Sequence, residues 1–253
     1  MKFNIIKLPK VSSTNSYAQH QIESNSSHEG DVIFTLNQQV GRGQGKNIWE
    51  SETGSNLNIS IILQPKMIHA SQQFVLTQLV SLAIIQLLSE YINDNEHEIK
   101  IKWPNDIYVG DNKIAGILFQ NFIKGNEIEY SIVGIGINVN QLKFLSLAPN
   151  PISIIHHTNK QTDIGSLLNN LLENIAANYK KYATESTFPK LKSKYINNLY
   201  QYDIWANYSD SVGKFKGKII DIDEFGRLIV KMENDHEKLY MFKEIEFLQS
   251  NKQ

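Results

Sequence analysis

The sequence contains no cysteine. That absence removes disulfides, thiolate metal sites and cysteine nucleophiles from consideration. Arginine is almost as scarce: of 25 basic residues only Arg42 and Arg227 are arginines, the other 23 being lysines. The two types serve equally on a solvated surface, but only arginine offers a planar fork for carboxylate or phosphate. An arginine spent inside a glycine-rich loop, as Arg42 is, asks for a chemical reason; Arg227, in an expected turn, does not. No apolar run approaches the roughly 18 residues that span a bilayer. Residues 1–7 lack both the continuous apolar stretch and the small-residue cleavage site of a signal peptide. A large excess of charge is missing too. The net charge is −1, so no global attraction to nucleic acid is expected. What remains is a chain of 253 residues, 41% hydrophobic and 20% charged, sized for one large domain alone or with a small second one. A cytoplasmic protein with no membrane partner is expected.

Residues 3–8 read as a short strand, and Ser12, Ser13, Thr14 and Asn15 supply N-cap chemistry for a helix through Tyr17, Ala18 and Ile22. Residues 31–37 read as a buried strand and residues 57–63 return to a strand pattern, with a glycine-rich loop over 38–55 between them. The strongest helix is expected over 71–91, apolar around most of its circumference and therefore a core helix packed on a sheet. Residues 100–103, 106–109, 113–122 and 127–139 read as successive strands, punctuated by turns at Gly110-Asp111-Asn112 and Lys124-Gly125-Asn126. An amphipathic helix is expected over 164–182 and a third over 188–200. Beyond about residue 201 the texture changes to short alternating strands, which predicts a small all-β module on the end of an α+β domain: residues 1–200, then 201–253.

Three clusters mix glycine with polar residues beyond what packing requires. The first runs from Gln38 through Gly41, Arg42, Gly43, Gln44, Gly45 and Lys46 to Trp49. Alternating glycines let backbone approach a ligand and turn several N–H groups on one anion; a flexible surface loop is the competing reading. It is not a P-loop, which needs glycine at Val40 and Ser or Thr at Asn47. The second is Lys102-Trp103-Pro104-Asn105-Asp106 followed by Lys113-Ile114-Ala115-Gly116-Ile117. Pro104 must break or bulge the strand, bringing Asn105 and Asp106 out at a junction, while the small Ala115 and Gly116 suggest a close approach to backbone. A hairpin whose Lys113 points to water is equally open. In the third, Gly134 to Asn140, strand alternation puts Ile135, Ile137 and Val139 on one face and Gly134, Gly136, Asn138 and Asn140 on the other. Two glycines and two amides on one face make a trough floored by backbone. The seven histidines are scattered without ligand spacing, so no metal site is expected.

Taken together, Ser13-Thr14-Asn15, Gln38 to Trp49, Lys102 to Asp106, Lys113 to Ile117 and Gly134 to Asn138 resemble the motifs of the bacterial biotin protein ligases, in order and over essentially the whole chain. The resemblance implies a mixed β-sheet packed with helices, like the catalytic domain shared with class II aminoacyl-tRNA synthetases, plus a small SH3-like C-terminal β-barrel. It implies activation of biotin by ATP, with magnesium, to biotinyl-5′-AMP, then transfer to a lysine of a biotin carboxyl carrier protein, an acetyl-CoA carboxylase subunit or another biotin-dependent carboxylase.

By position, Ser13, Thr14, Asn15 and Gln38 would bind the ureido ring of biotin, and Gly41, Arg42, Gly43 and Gln44 would close over carboxylate and phosphate. Lys113 would bridge the two, and Gly116, Gly134 and Gly136 would leave room for the ligand. Trp49 would pack on adenine, Asn105 and Asn138 would lie nearer the nucleotide and its magnesium, and Asp106 would steer or deprotonate the incoming lysine. Arg42, Lys113 and Asp106 are the catalytic candidates.

One departure stands out. The family's loop usually reads GRGRxGRxW, whereas here Gln44 and Asn47 replace arginines and Lys46 replaces a glycine; a leakier adenylate is expected. Relatives with an N-terminal helix-turn-helix act as repressors, but here Ser-Thr-Asn arrives within 15 residues, so a ligase without a DNA partner is expected. The resemblance allows a homodimer or a monomer. The rivals are a lipoate or octanoate ligase and a binding protein that has lost catalysis at Gln44; a cysteine-dependent acyltransferase is excluded.

Overall fold

A computed structural model describes residues 1–45, 47–93, 98–145, 150–182 and 184–248. The elements in chain order are β1 (Asn4–Leu8), α1 (Thr14–Glu23), β2 (Asp31–Thr35), β3 (Gly41–Arg42), β4 (Ile48–Trp49), β5 (Asn56–Leu63), α2 (Phe74–Ser89), β6 (Ile99–Lys102), β7 (Asp106–Val109), β8 (Asn112–Lys124), β9 (Glu127–Asn138), α3 (Ile154–Thr158), α4 (Ile164–Lys181), α5 (Phe188–Asn197), β10 (Trp205–Ser209), β11 (Lys214–Ile222), β12 (Leu228–Met232), β13 (Glu237–Tyr240) and β14 (Glu246–Phe247). The expected α+β organisation is present, with shifts at element ends. The core helix starts at Phe74 because a 3₁₀ turn, Ala70–Gln72, precedes it, and the supposed loop over 38–55 contains the two-residue β3/β4 ladder.

Seven strands form the main sheet in the order β1-β2-β5-β9-β8-β7-β6, with β1 and β2 parallel and every other neighbouring pair antiparallel. Every residue of β2 and β5 is buried, as expected for central strands covered on both faces. One face carries Leu57, Ile59, Ile61 and Leu63 of β5 and Val133, Ile135, Ile137 and Val139 around β9, packed with α2, α4 and α5 in the large apolar core. The span Ala70–Ser89 is long and apolar enough to cross a membrane, yet 67% of it is buried inside the protein, which marks a core helix.

The opposite face is covered only in part. There α1 packs Ala18 against Ile33, Ile62 and Ile132, and the rest of that face, through β9, β8 and β7, is left for the site. A second, five-stranded sheet, β13-β12-β11-β10-β14, follows. It is fastened to the first part by the Trp103 indole N–H donating to the Gly226 carbonyl (2.9 Å), by Gly226 packed on the Phe74 ring, and by the Tyr200 ring lying between Tyr108 and Phe247. Tyr208, Ile219, Leu228 and Val230 of this sheet continue the same apolar core.

Candidate active site

Strand register builds the floor. A single row crosses six strands as Thr35, Asn58, Gly136, Gly116, Asp106 and Lys102; its neighbour runs Ile33, Ser60, Gly134 and Leu118. Where the row reaches glycine the floor is bare backbone. A methyl group on Gly136 would collide with the Trp49 indole, coming within 2.6 Å of Nε1, and one on Gly116 would meet Trp49 Cζ3 at 3.1 Å. The indole therefore lies in the trough. Ala115, also expected to mark a close approach, faces the helices instead and is fully buried in the core.

Lys113 reaches this face because of a bulge. From Ile117 to Ala115 the alternation is regular, but the β7–β8 register then shifts, with Ile107 opposite Ala115 and Tyr108 opposite Lys113. Ile114 stays in the core, and Lys113 turns to the side it would otherwise miss. Its ammonium lies 2.7 Å from Asp106 Oδ1, with the two side chains 23% and 28% exposed, and 5.7 Å from the Trp49 ring centre. So Lys113 does not simply point to water. Asn105 is held by its amide donating to the Ile117 carbonyl, and Tyr195 donates to the Pro104 carbonyl at 2.7 Å, which fixes the junction after the cis Trp103–Pro104 bond.

At the other end a polar cluster is locked together. Ser13 caps α1, with Oγ accepting from the Ser16 N–H at 3.5 Å. Gln38 Oε1 accepts from the Thr14 N–H (2.9 Å) and hydroxyl (3.2 Å), and the Ser60 hydroxyl donates to Asn15 Oδ1 (2.6 Å). Asn15 Oδ1 and Cγ sit directly over Gly134. Asn15, Ser60 and Thr14 are buried, yet Asn15 Nδ2 has no partner; neither has Trp49 Nε1 or Gln44 Oε1.

Between these ends lies a cavity of about 700 Å³, within the range of small-molecule sites. It gathers Ser13, Thr14, Asn15 and Gln38; Arg42, Gly43, Gln44 and Trp49; and Asn105, Asp106, Lys113, Gly116, Gly134 and Gly136. Two expected residues do not line it. Gly41 is buried where a side chain would strike the Trp49 carbonyl, so its smallness serves the β3/β4 ladder. Asn138 turns its amide to the Ile152 carbonyl (2.9 Å), and Asn140 is tied to Thr162, so these amides anchor the following loop. Lys46 lies outside the described residues.

The sequence reading missed Asn58 on β5, although Asn56, Asn58 and Ser60 alternate on one face of an otherwise apolar strand. It gave Lys102 no role within its cluster, and it missed Asn150 and the contribution of the second sheet: Phe242, Lys243, Ile245, Glu246, Phe247 and Leu248. Among the described lining residues the cations are Arg42, Lys102, Lys113 and Lys243, against the carboxylates Asp106 and Glu246. An electropositive cavity in a chain of net charge −1 favours an anionic ligand. Burial holds the Lys102 ammonium below the usual lysine range; Asp106 pulls the other way, and Lys113 adds to the depression. Burial pushes the neighbouring Tyr108 phenol up, with the Asp106 charge adding to it.

The arrangement defines a small-molecule site: a hydrogen-bonding head pocket at one end, and at the other a fixed ammonium with a glycine-floored slot for an anion. No group of three histidine or acidic side chains fit to hold a metal occurs among the described residues. The sequence signature of the biotin/lipoate A/B protein ligase family matches residues 8–138, more than half of the chain, which therefore belongs to that family. It is 29% identical over 240 residues to the bifunctional ligase/repressor BirA of Bacillus subtilis, covering 91% of this chain and 70% of the relative. Its fold superposes on a biotin protein ligase from Aquifex aeolicus, solved in complex with biotin and ATP, with a TM-score of 0.78 and 27% identity over 98% of this chain and 99% of the other. A Helicobacter pylori biotin acetyl coenzyme A carboxylase synthetase shares the fold at a TM-score of 0.64 and 20% identity, over 94% of this chain and 99% of the other.

Proposed function

We propose that the chain is a biotin protein ligase that forms biotinyl-5′-AMP from biotin and ATP and passes the biotinyl group to a lysine of a biotin carboxyl carrier protein. The observation that carries this over a lipoate ligase is the head pocket. Thr14, Gln38, Ser60 and Asn15 form a connected polar cluster with the Asn15 amide donor still unused. A ureido ring, with two N–H donors and a carbonyl acceptor, offers that donor a partner; a dithiolane ring would leave the buried Asn15 donor unpaired, at a cost of about 1–3 kcal/mol.

In the first step a biotin carboxylate oxygen attacks the α-phosphorus, the bond to the bridging oxygen breaks, and pyrophosphate leaves with the electron pair. Charge accumulates on phosphate oxygens, so positioning and neutralisation supply most of the catalysis. Lys113, held by Asp106 above the Gly116 floor, provides a fixed ammonium between carboxylate and α-phosphate. Arg42 and Gly43 close over the same oxygens, and the Trp49 indole moves from the bare trough to pack on adenine. In the second step the carrier amine attacks the acyl carbon and AMP leaves; Asp106 orients that amine and takes up its proton.

Asp106 and Asn105 line the cavity with side-chain oxygens that would hold a magnesium ion entering with the nucleotide. When bound it offsets phosphate charge. Asn138 acts at one remove, anchoring the loop after β9. We take residues 1–200 as the catalytic part and 201–253 as an SH3-like module, and with a net charge of −1 assign no DNA partner. Isothermal titration tests the ligand choice: biotin should bind tightly and lipoate weakly, and a preference for lipoate would overturn it.

A further inference from the structure

We infer that Lys243, carried by the C-terminal sheet, binds the polyphosphate end of the nucleotide and neutralises the pyrophosphate that leaves in the first half-reaction; this rests on the ligase reading above. Lys243 lies in the turn between β13 and β14 and lines the cavity together with Arg42, Gln44 and Lys113. Its ammonium rests against the glycine loop, 2.6 Å from where a Cβ on Gly45 would stand. Among the described residues it makes no ion pair, and its neighbour Glu244 is engaged with the Met241 N–H at 2.7 Å. The backbone at Lys243 has φ +71°, in the left-handed region that disfavours a side chain. Glycine and asparagine are the residues such a turn favours. The lysine places a cation directly against the glycine loop at Gly45.

When the α-phosphorus bond to the bridging oxygen breaks, the electron pair goes to pyrophosphate, and a cation beside those oxygens stabilises the growing charge. In the second half-reaction pyrophosphate has already left, so Lys243 has nothing to neutralise. The two half-reactions should therefore separate. The test uses the full chain as wild type, Lys243→Gln, Lys243→Arg and Lys243→Gly. It measures biotin-dependent ATP–pyrophosphate exchange, transfer to a carrier domain from supplied biotinyl-AMP, and melting temperature.

Losing a charge-assisted phosphate contact should raise the KM for ATP and for pyrophosphate about tenfold or more in the Gln and Gly variants. Transfer from supplied adenylate should keep the wild-type rate, and Lys243→Arg should restore exchange. Lys243→Gly should melt above wild type, since the left-handed strain is relieved while ATP use falls. Unchanged exchange in both variants, or transfer falling in step with exchange, would overturn the role. A wild-type chain with no exchange at all would instead overturn the ligase reading, and the role of Lys243 with it.

Discussion

Replacing Gly134 by alanine tests whether close packing sets the floor of the site. The added methyl would overlap Asn15 Oδ1 and come within 2.9 Å of its Cγ and 3.0 Å of its Nδ2, where contacting heavy atoms rest at about 3.5–4.0 Å. Asn15 has little room to retreat. It is buried in the first turn of α1, two residues past the capping Ser13, and its Oδ1 takes the Ser60 hydroxyl at 2.6 Å. Overpacking of this kind costs about 1–3 kcal/mol, and breaking the buried hydrogen bond adds about 1 kcal/mol. In a chain of this length each kcal/mol lowers Tm by about 2–4 °C, so Gly134→Ala should melt roughly 5–15 °C below wild type. Gly136→Ala is the matched control. Its methyl would strike the Trp49 indole, within 2.7 Å of Cζ2, but Trp49 sits on a two-residue ladder that can swing away. That variant should lose little Tm and bind nucleotide more weakly, because the trough is narrowed. Scanning calorimetry and ligand titration on the pair decide the matter: equal Tm losses, or none at Gly134, would refute the reasoning.

Other substitutions separate chemistry from packing. Lys113→Met removes a partly exposed ion pair, so stability should change by less than about 1 kcal/mol, while pyrophosphate exchange falls by a factor on the order of 10² to 10³. Trp103→Phe leaves the Gly226 carbonyl without its donor and should cost about 1–3 kcal/mol, read as a lower Tm. Lys102 has its pKa held down in the folded state, chiefly by burial. Its charge therefore works against folding at neutral pH, and that penalty disappears as pH rises from the depressed folded pKa to the ordinary lysine range. The stability gain of Lys102→Met over wild type should be largest near neutral pH and shrink on alkalinisation; a pH-independent gap in denaturant titrations would contradict this. Gln44→Arg should slow the release of biotinyl-AMP, and an unchanged release rate would show that the missing guanidinium is not what sets retention.

Much of the site could be read from sequence because strand alternation is rigid. Gly134 and Gly136 share a face whatever the surrounding fold, and the Ser13 cap chemistry fixed the start of α1. Lys113 was recognised from its motif and not from alternation, since the bulge at Ile114 reverses the parity on which alternation depends. Asn58 and Ser60 went unnoticed because residues 57–63 were read only as a strand, although polar residues at every second position carry the same information as the glycines of β9. Asn138 and Asn140 show the limit of that logic: a face predicts direction, and only the loop packed beyond it decides that these amides hold Ile152 and Thr162. The return of Phe242 to Leu248 to the cavity depends on how the second sheet docks, through contacts such as Trp103 with Gly226 that link residues 123 positions apart. No local pattern encodes such a contact.

ATP–pyrophosphate exchange, driven separately by biotin and by lipoate and followed by mass analysis of an added biotin carboxyl carrier domain, tests the assignment most directly. Exchange with biotin, weak exchange with lipoate, and one biotinyl group on a carrier lysine are the expected results. Exchange driven by lipoate alone, or biotin binding with no exchange, would contradict it.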